Sequence, residues 1–412
     1  MTGPRDGAGG RSRLALGGVG RYAAPLLAVV GLVIVAIVTI QLLGGNLPLS
    51  GGSRGDGDVV GPDRTPAPSN VVVIDPGVKF PGSITYAKGG NIWVQAGKDA
   101  RQVTSSGNDS MPSWAPDGRS IYYVTTVYER SEWFIDGSLR KYNLYYPNLM
   151  QVAADGSGRP EQLATGRYVR NARAWFYWIR QPTPSPDGRS LAVLSDQPDP
   201  QRSDTVLQFY DLRTKRYTRA PVGEVQPLGH QDPAWRRDGQ VLLYVRNARD
   251  GARGAPAIYR YDTSTKKTSA VTGPGYLEPS FSPDGRYIAA TQTSAFGTDV
   301  VILDATRGRV VLPLTKDGSS WGPVWSPAGD SIAFLRIEGQ IVDLWMVKLD
   351  GTAPDWTVSK PIALTRVSGL EGASRPSWFI PPAELPPAPS SGPSQPASPS
   401  TTPAASGASA GP

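Results

Sequence analysis

Few residues in this sequence could do chemistry. Its 412 residues include one histidine, His230, and no cysteine. Thiolate metal sites and disulfides are therefore excluded, and a lone imidazole cannot build a His-rich metal cage. No metal and no cofactor is expected. "GHQDP" sets His230 two residues ahead of Asp232, and "YLEP" carries Glu278. Carboxylates near an imidazole could hold a cation or a ligand amine, or exchange protons with a substrate. Ordinary hydrogen bonds within loops are the plainer use of such residues. "GGSRG" at Gly51–Gly55 matches G-x-S-x-G, but that motif works only on a strand-to-helix turn facing a fixed base and acid. Here it lies in a Gly- and Pro-rich stretch and reads as an accident of composition, as does "RGD" at Arg54–Asp56.

Recognition chemistry is better represented. Tyr128 to Pro147, "YERSEWFIDGSLRKYNLYYP", and Gly166 to Gln181, "GRYVRNARAWFYWIRQ", concentrate Trp133, Phe134, Tyr142, Tyr145, Tyr146, Trp175, Tyr177 and Trp178 beside Arg167, Arg170 and Arg173. Trp, Tyr and Arg dominate binding hot spots, so an ordered platform for a partner is one reading. Packing of the two stretches against each other is the other. Arg outnumbers Lys 32 to 10 and is dispersed along the chain, which argues against a dedicated nucleic-acid binder.

Ala23 to Leu43, "AAPLLAVVGLVIVAIVTIQLL", is 21 residues without a charge, and roughly 20 apolar residues span a ~30 Å hydrocarbon layer. One transmembrane helix is expected there. A signal peptide has a shorter apolar core and a small-residue cleavage site, which "QLLGGNLPLS" does not supply. Arg5, Arg11, Arg13 and Arg21 precede the run against one acid, Asp6, so the positive-inside bias keeps residues 1–22 cytoplasmic and the rest outside. Residues 44–70 read as a flexible stalk and 382–412 as a Pro-, Ala- and Ser-rich disordered tail. The folded body is then 71–381.

The body repeats itself. "SWAPDGRSIYYV" from Ser113, "TPSPDGRSLAVL" from Thr183, "AWRRDGQVLLYV" from Ala234, "SFSPDGRYIAA" from Ser280 and "PVWSPAGDSIAFL" from Pro323 are versions of one sentence. The marker positions Trp114, Pro184, Trp235, Phe281, Trp325 and Trp378 are separated by 70, 51, 46, 44 and 53 residues. Periods near 40–50 indicate propeller blades of four strands, because one small sheet cannot bury both faces alone. The D-G pairs at Asp117, Asp187, Asp238 and Asp284 supply the positive-φ positions of the hairpin joining strands A and B.

"SITYAKG" from Ser83, "NIWVQAG" from Asn91 and "ARQVT" from Ala100 read as strands B, C and D without an A, and "RPSWFIP" from Arg375 as an A without a B. Joined, they give a sixth blade made by both termini, closing the ring and hiding its edges. The fold class is therefore all-β, a six-bladed β-propeller preceded by one transmembrane helix.

The P-x-W-S-P-D-G repeat resembles the TolB-type propeller repeat across nearly all of Val71 to Pro381. The resemblance implies an extracytoplasmic propeller that binds protein or peptide. TolB also carries an α/β domain ahead of its propeller, and a membrane run stands in that place here. In up-and-down blades the A–B and C–D turns share one face, and the B–C turns and D-to-A connections share the other. Tyr128–Pro147, Gly166–Gln181 and the Asn247–Pro256 loop all fall on the second face, with His230, Asp232 and Glu278 at the channel mouth there.

The expected function is a membrane-anchored, monomeric, non-catalytic binding module for an envelope protein, a peptide or an anionic glycan. A lyase or hydrolase acting on carbohydrate or peptide at the channel mouth is the alternative, and a single histidine gives it thin support.

Overall fold

In the computed structural model, residues 69–223, 229–247 and 256–385 are described. The apolar run, most of the stalk, the C-terminal tail after residue 385 and the core of the Asn247–Pro256 loop lie outside these residues. Among the described residues no helix is long and apolar enough to cross a membrane.

Six antiparallel sheets follow one another as blades. Blade 2 is Asp109–Trp114, Ser120–Ile135, Ser138–Ala153 and Glu161–Thr165; blade 3 is Arg180–Pro184, Ser190–Ser195, Val206–Asp211 and Arg216–Arg219. Blade 4 is His230–Trp235, Val241–Arg246, Ala257–Asp262 and Thr268–Ala270; blade 5 is Tyr276–Phe281, Tyr287–Ser294, Gly297–Asp304 and Val310–Pro313. Blade 6 is Ser320–Trp325, Ser331–Glu338 and Ile341–Asp350, with the short Thr357–Val358 and Ile362–Ala363 sharing the outer position. Blade 1 takes Ser83–Lys88, Asn91–Ala96 and Asp99–Gln102 from one end of the chain and Ser377–Phe379 from the other. Its closure registers Ile84 against Trp378.

The local signals act as their chemistry requires. Gly118, Gly188, Gly239 and Gly285 hold φ of 69°, 68°, 71° and 71°. The preceding aspartates cap their own turns: Asp117, Asp187, Asp238 and Asp284 accept the N–H of Arg119, Arg189, Gln240 and Arg286 at 2.9–3.1 Å. Threonines close the outer strands. Thr104, Thr272, Thr315 and Thr365 each accept through Oγ1 a strand C N–H, those of Ile92, Ile258, Val300 and Leu344, at 2.9–3.0 Å.

The core lies between blades. Each of six apolar clusters straddles two neighbouring blades, and the marker aromatics Trp114, Trp235, Phe281, Trp325 and Trp378 enter five of them. A two-faced sheet thereby buries both sides, which explains why the repeat must recur around a ring.

One expectation changes. Tyr128–Pro147 is no irregular loop: strands B and C of blade 2 run on for 16 residues each, paired without a break from Ser120↔Ala153 to Ile135↔Ser138. Asp136 and Gly137, with φ of 51° and 73°, form the tight turn that such a ribbon needs. Gly166–Gln181 likewise holds a hairpin, Arg167–Arg170 with Arg173–Phe176. Its turn residues Asn171 and Ala172 have φ of 52° and 56°.

Candidate functional site

The two hairpins make one arm. Strand alternation gives the ribbon two faces. On the inner face Glu129 receives Arg167 through two hydrogen bonds, at 2.7 and 2.9 Å. That guanidinium holds the Glu129 carboxyl below its ordinary range. The Tyr142 hydroxyl donates to the Ala174 carbonyl at 2.9 Å and accepts the Ala174 N–H at 3.0 Å. Arg173 stands 4.4 Å from the Trp133 ring centroid, 4.1 Å from that of Trp175 and 5.1 Å from that of Tyr142. Trp133, Trp175, Arg167 and Arg173 therefore hold the hairpins together, and Tyr146 is half-buried along the ribbon beside them. The outer side carries Phe134, Tyr145, Trp178 and Arg170, all exposed. Tyr128, Leu139 and Val169 join them there, and sequence reasoning had not singled these out. Their signal was the period-two alternation through Tyr128–Ile135.

The channel residues are strung in a ring. Three positions before each marker stand Met111, Gln181, Asp232, Glu278, Gly322 and Arg375, and each precedes a proline. The first five have φ between 49° and 62°, at a register shift in strand A of blades 2 to 6. In blades 2 to 5 this bulge turns the side chain toward the next blade. The Met111 sulfur accepts the Gln181 N–H at 3.4 Å, Gln181 Oε1 that of Asp232 at 2.8 Å, Asp232 Oδ2 that of Glu278 at 3.1 Å and Glu278 Oε2 that of Gly322 at 2.7 Å. Burial, then the nearby Asp232 charge, push the Glu278 carboxyl above its usual range, while Arg375 opposes the shift.

His230 does not share that ring. It is buried between blades 3 and 4, where Nε2 meets the Gly223 carbonyl at 2.8 Å and Nδ1 accepts the Leu207 N–H at 3.3 Å. These partners place the proton on Nε2. The expected meeting of His230 with Asp232 and Glu278 at one mouth is therefore replaced by a carboxylate pair in the ring and an imidazole strut outside it.

Toward the A–B turns the axis opens into a cavity of about 550 Å³. Its wall is the repeated Pro-x-aromatic segment, and Pro116, Pro186 and Arg237 at the A–B turns mark its rim. The charged residues lining it are Arg237 and Arg375, with no carboxylate. The rim acids Asp238 and Asp284 are paired with Arg236 and Arg286. Arg375 donates through Nη2 to the Pro279 carbonyl at 2.9 Å, while its buried Nε has no partner. The Ser280 and Ser377 oxygens accept the N–H of Trp325 and Trp114 at 3.0 and 3.2 Å, which leaves their hydroxyl protons for a ligand. This cavity, on the face opposite the arm, had no sequence signal beyond the six X-Pro pairs.

Comparison with known proteins agrees with this geometry. The family model of the TolB beta propeller domain matches residues 161–362. The crystal structure of TolB from Acinetobacter baumannii superposes with a TM-score of 0.51 at 20% identity, covering 74% of this chain and 68% of that one; at that identity the likeness is one of fold. The Tol-Pal system protein TolB of Francisella tularensis subsp. tularensis is 25% identical over 256 residues, 58% of this chain and 48% of its own. That of Anaeromyxobacter dehalogenans strain 2CP-C is 33% identical over 85 residues, 21% of this chain and 19% of its own. The chain thus spans about half or less of the curated relatives it matches.

Proposed function

Because the body of this chain is a TolB-type six-bladed β-propeller, we propose that the protein is a non-catalytic, extracytoplasmic binding module that receives an acidic segment of an envelope protein or peptide in its axial cavity. The Ala23–Leu43 run would hold it at the membrane, with residues 1–22 in the cytoplasm. The observation that carries the reading is the lining of the cavity, where Arg237 and Arg375 meet serine hydroxyls and no carboxylate. A cavity of this size suits a few side chains of a ligand, and a site of donors without acceptors of charge favours an anion. Asp232 and Glu278 support binding over catalysis, since their oxygens already accept neighbouring N–H groups in the ring.

The test uses the exposed Arg237. Fluorescent acidic and basic peptides of equal length are titrated against the parent and Arg237→Glu. Acidic peptides should bind the parent in preference, and the variant should lose at least about tenfold affinity, the scale of one hot-spot contact. Equal affinity of parent and variant, with unchanged melting, removes the cavity as the site. An anionic oligosaccharide in the same titration separates a glycan ligand from a peptide.

A further inference from the structure

The chain enters the propeller on the side of the arm. Ser69 packs on Gly89 in the B–C turn of blade 1, and Ile74 bridges Thr365 where the outer strand of blade 6 ends. Exposed apolar surface is polarised toward the same side. Of the twelve large apolar side chains exposed among the described residues, all but Val310 and Ile362 lie there, and Phe134 is 68% exposed. Phe134 and Leu139 face each other across the ribbon just below its Asp136–Gly137 turn. Basic groups accompany them. Segments 128–147 and 166–181 hold seven Lys and Arg against three Asp and Glu, and Arg130, Arg140 and Arg170 are exposed.

The lengths also agree. Strand A of blade 2 stops pairing at Thr125, and the ten ribbon residues beyond it, 126–135, reach about 33 Å at ~3.3 Å per residue. Between Leu43 and Ser69 lie 25 residues, and a flexible stalk of that length would have a root-mean-square span of about 25–30 Å. A membrane holding the Ala23–Leu43 run would stand at the distance that the arm covers.

We propose that the tip of the arm docks on the surface of an anionic lipid bilayer, Phe134 and Leu139 entering the headgroup region while Arg130, Arg140 and Arg170 meet lipid phosphates. The proposal rests on the reading of Ala23–Leu43 as an anchor. Aromatic and apolar side chains flanked by Arg are the composition that binds a bilayer interface, through apolar burial and attraction to anionic headgroups. A tip so held would point the axial cavity, on the opposite face, away from the membrane.

The absence of native cysteine makes an introduced thiol unique. Leu139→Cys and, on the opposite face, Arg307→Cys are each labelled with a fluorophore in the full chain. Both are reconstituted in vesicles of equal parts phosphatidylglycerol and phosphatidylcholine containing a nitroxide lipid. The Leu139→Cys label should lose at least about half its emission and the Arg307→Cys label almost none, with the difference reduced severalfold when phosphatidylglycerol is omitted. Quenching no greater at 139 than at 307 overturns lipid docking, whether or not the chain stays with the vesicles. An alkaline wash reads the anchor separately: protein stripped by the wash after its tip was quenched sinks the anchor and leaves the docking. Protein retained with an unquenched tip does the reverse and frees the tip for a protein partner.

Discussion

Gln181 and Asp232 grip each other twice across the boundary between blades 3 and 4. Gln181 Nε2 donates to Asp232 Oδ1 at 2.7 Å, and Gln181 Oε1 accepts the Asp232 N–H at 2.8 Å. The pair is joined by two hydrogen bonds where the other side-chain links of the ring have one, and it exists because both residues occupy the same bulge of the repeat, with φ of 49° and 55°. A positive φ on a residue with a side chain is a strained conformation that the surroundings must enforce. Here the reward is a side chain that reaches the next blade's backbone.

Gln181→Ala should therefore cost about 1–3 kcal/mol in denaturant unfolding, because it leaves the buried Asp232 N–H and carboxylate short of a partner. Met111→Ala, which removes only a weak sulfur acceptor at 3.4 Å, should lose less of the hydrogen-bonded link. Equal exchange protection of the Asp232 amide in the two variants would contradict the ring.

Closure depends on a strand of three residues. Trp378 is buried, donates through Nε1 to the Pro81 carbonyl at 2.9 Å and meets Phe80 edge-on at 5.7 Å. Trp378→Ala should destabilise by about 3–5 kcal/mol, and deleting Arg375–Pro381 should cost more still, since blade 1 then loses its A strand. A deletion that melts within a degree or two of the parent would refute the two-terminus blade.

Glu371 makes a pH prediction. Burial, and less strongly the charge of Asp109, raise its carboxyl pKa above the ordinary value, although its Oε1 accepts the Gly90 N–H. A carboxyl whose folded pKa is raised favours the folded state fully only below its unfolded pKa. That contribution is lost as pH rises through the folded pKa. Glu371→Gln keeps the acceptor and removes the buried charge, so it should raise the melting temperature at neutral pH. The gain should shrink as pH falls through the raised folded pKa and be gone by about pH 4, near the unfolded value. A gain independent of pH would assign the effect to packing.

For the arm, Arg173→Ala removes three cation–ring contacts of about 0.5–1 kcal/mol each. Amides of residues 166–178 should exchange faster while global melting stays near the parent, because the arm lies outside the six blade cores. A large fall in melting temperature instead would tie the arm into the ring.

The sequence by itself determined the fold. The spacing of Trp114, Trp235, Phe281 and Trp325, the D-G turns, and the lone A strand at Trp378 matching a B–C–D set at Ser83 were enough for six closed blades. Those signals are local: a turn or strand is encoded in a few adjacent residues, and a repeat multiplies it. The ribbon was also written locally, in the period-two pattern of Tyr128–Ile135 and the Asp136–Gly137 pair, though aromatic content concealed it as a loop.

What the tertiary structure decided was the fate of each functional side chain. Alternation says that Trp133 and Phe134 point opposite ways, but only the arrival of Arg173 from the next hairpin half-buries one and leaves the other in water. His230 and Asp232 are two residues apart, yet one ends between blades and the other in the axial ring. The positively lined cavity is built by six segments drawn from Met111 to Trp378. Each contributes only part of the wall, so no single stretch of sequence carries its shape or its charge. Those depend on convergence at the axis, which only the closed ring provides.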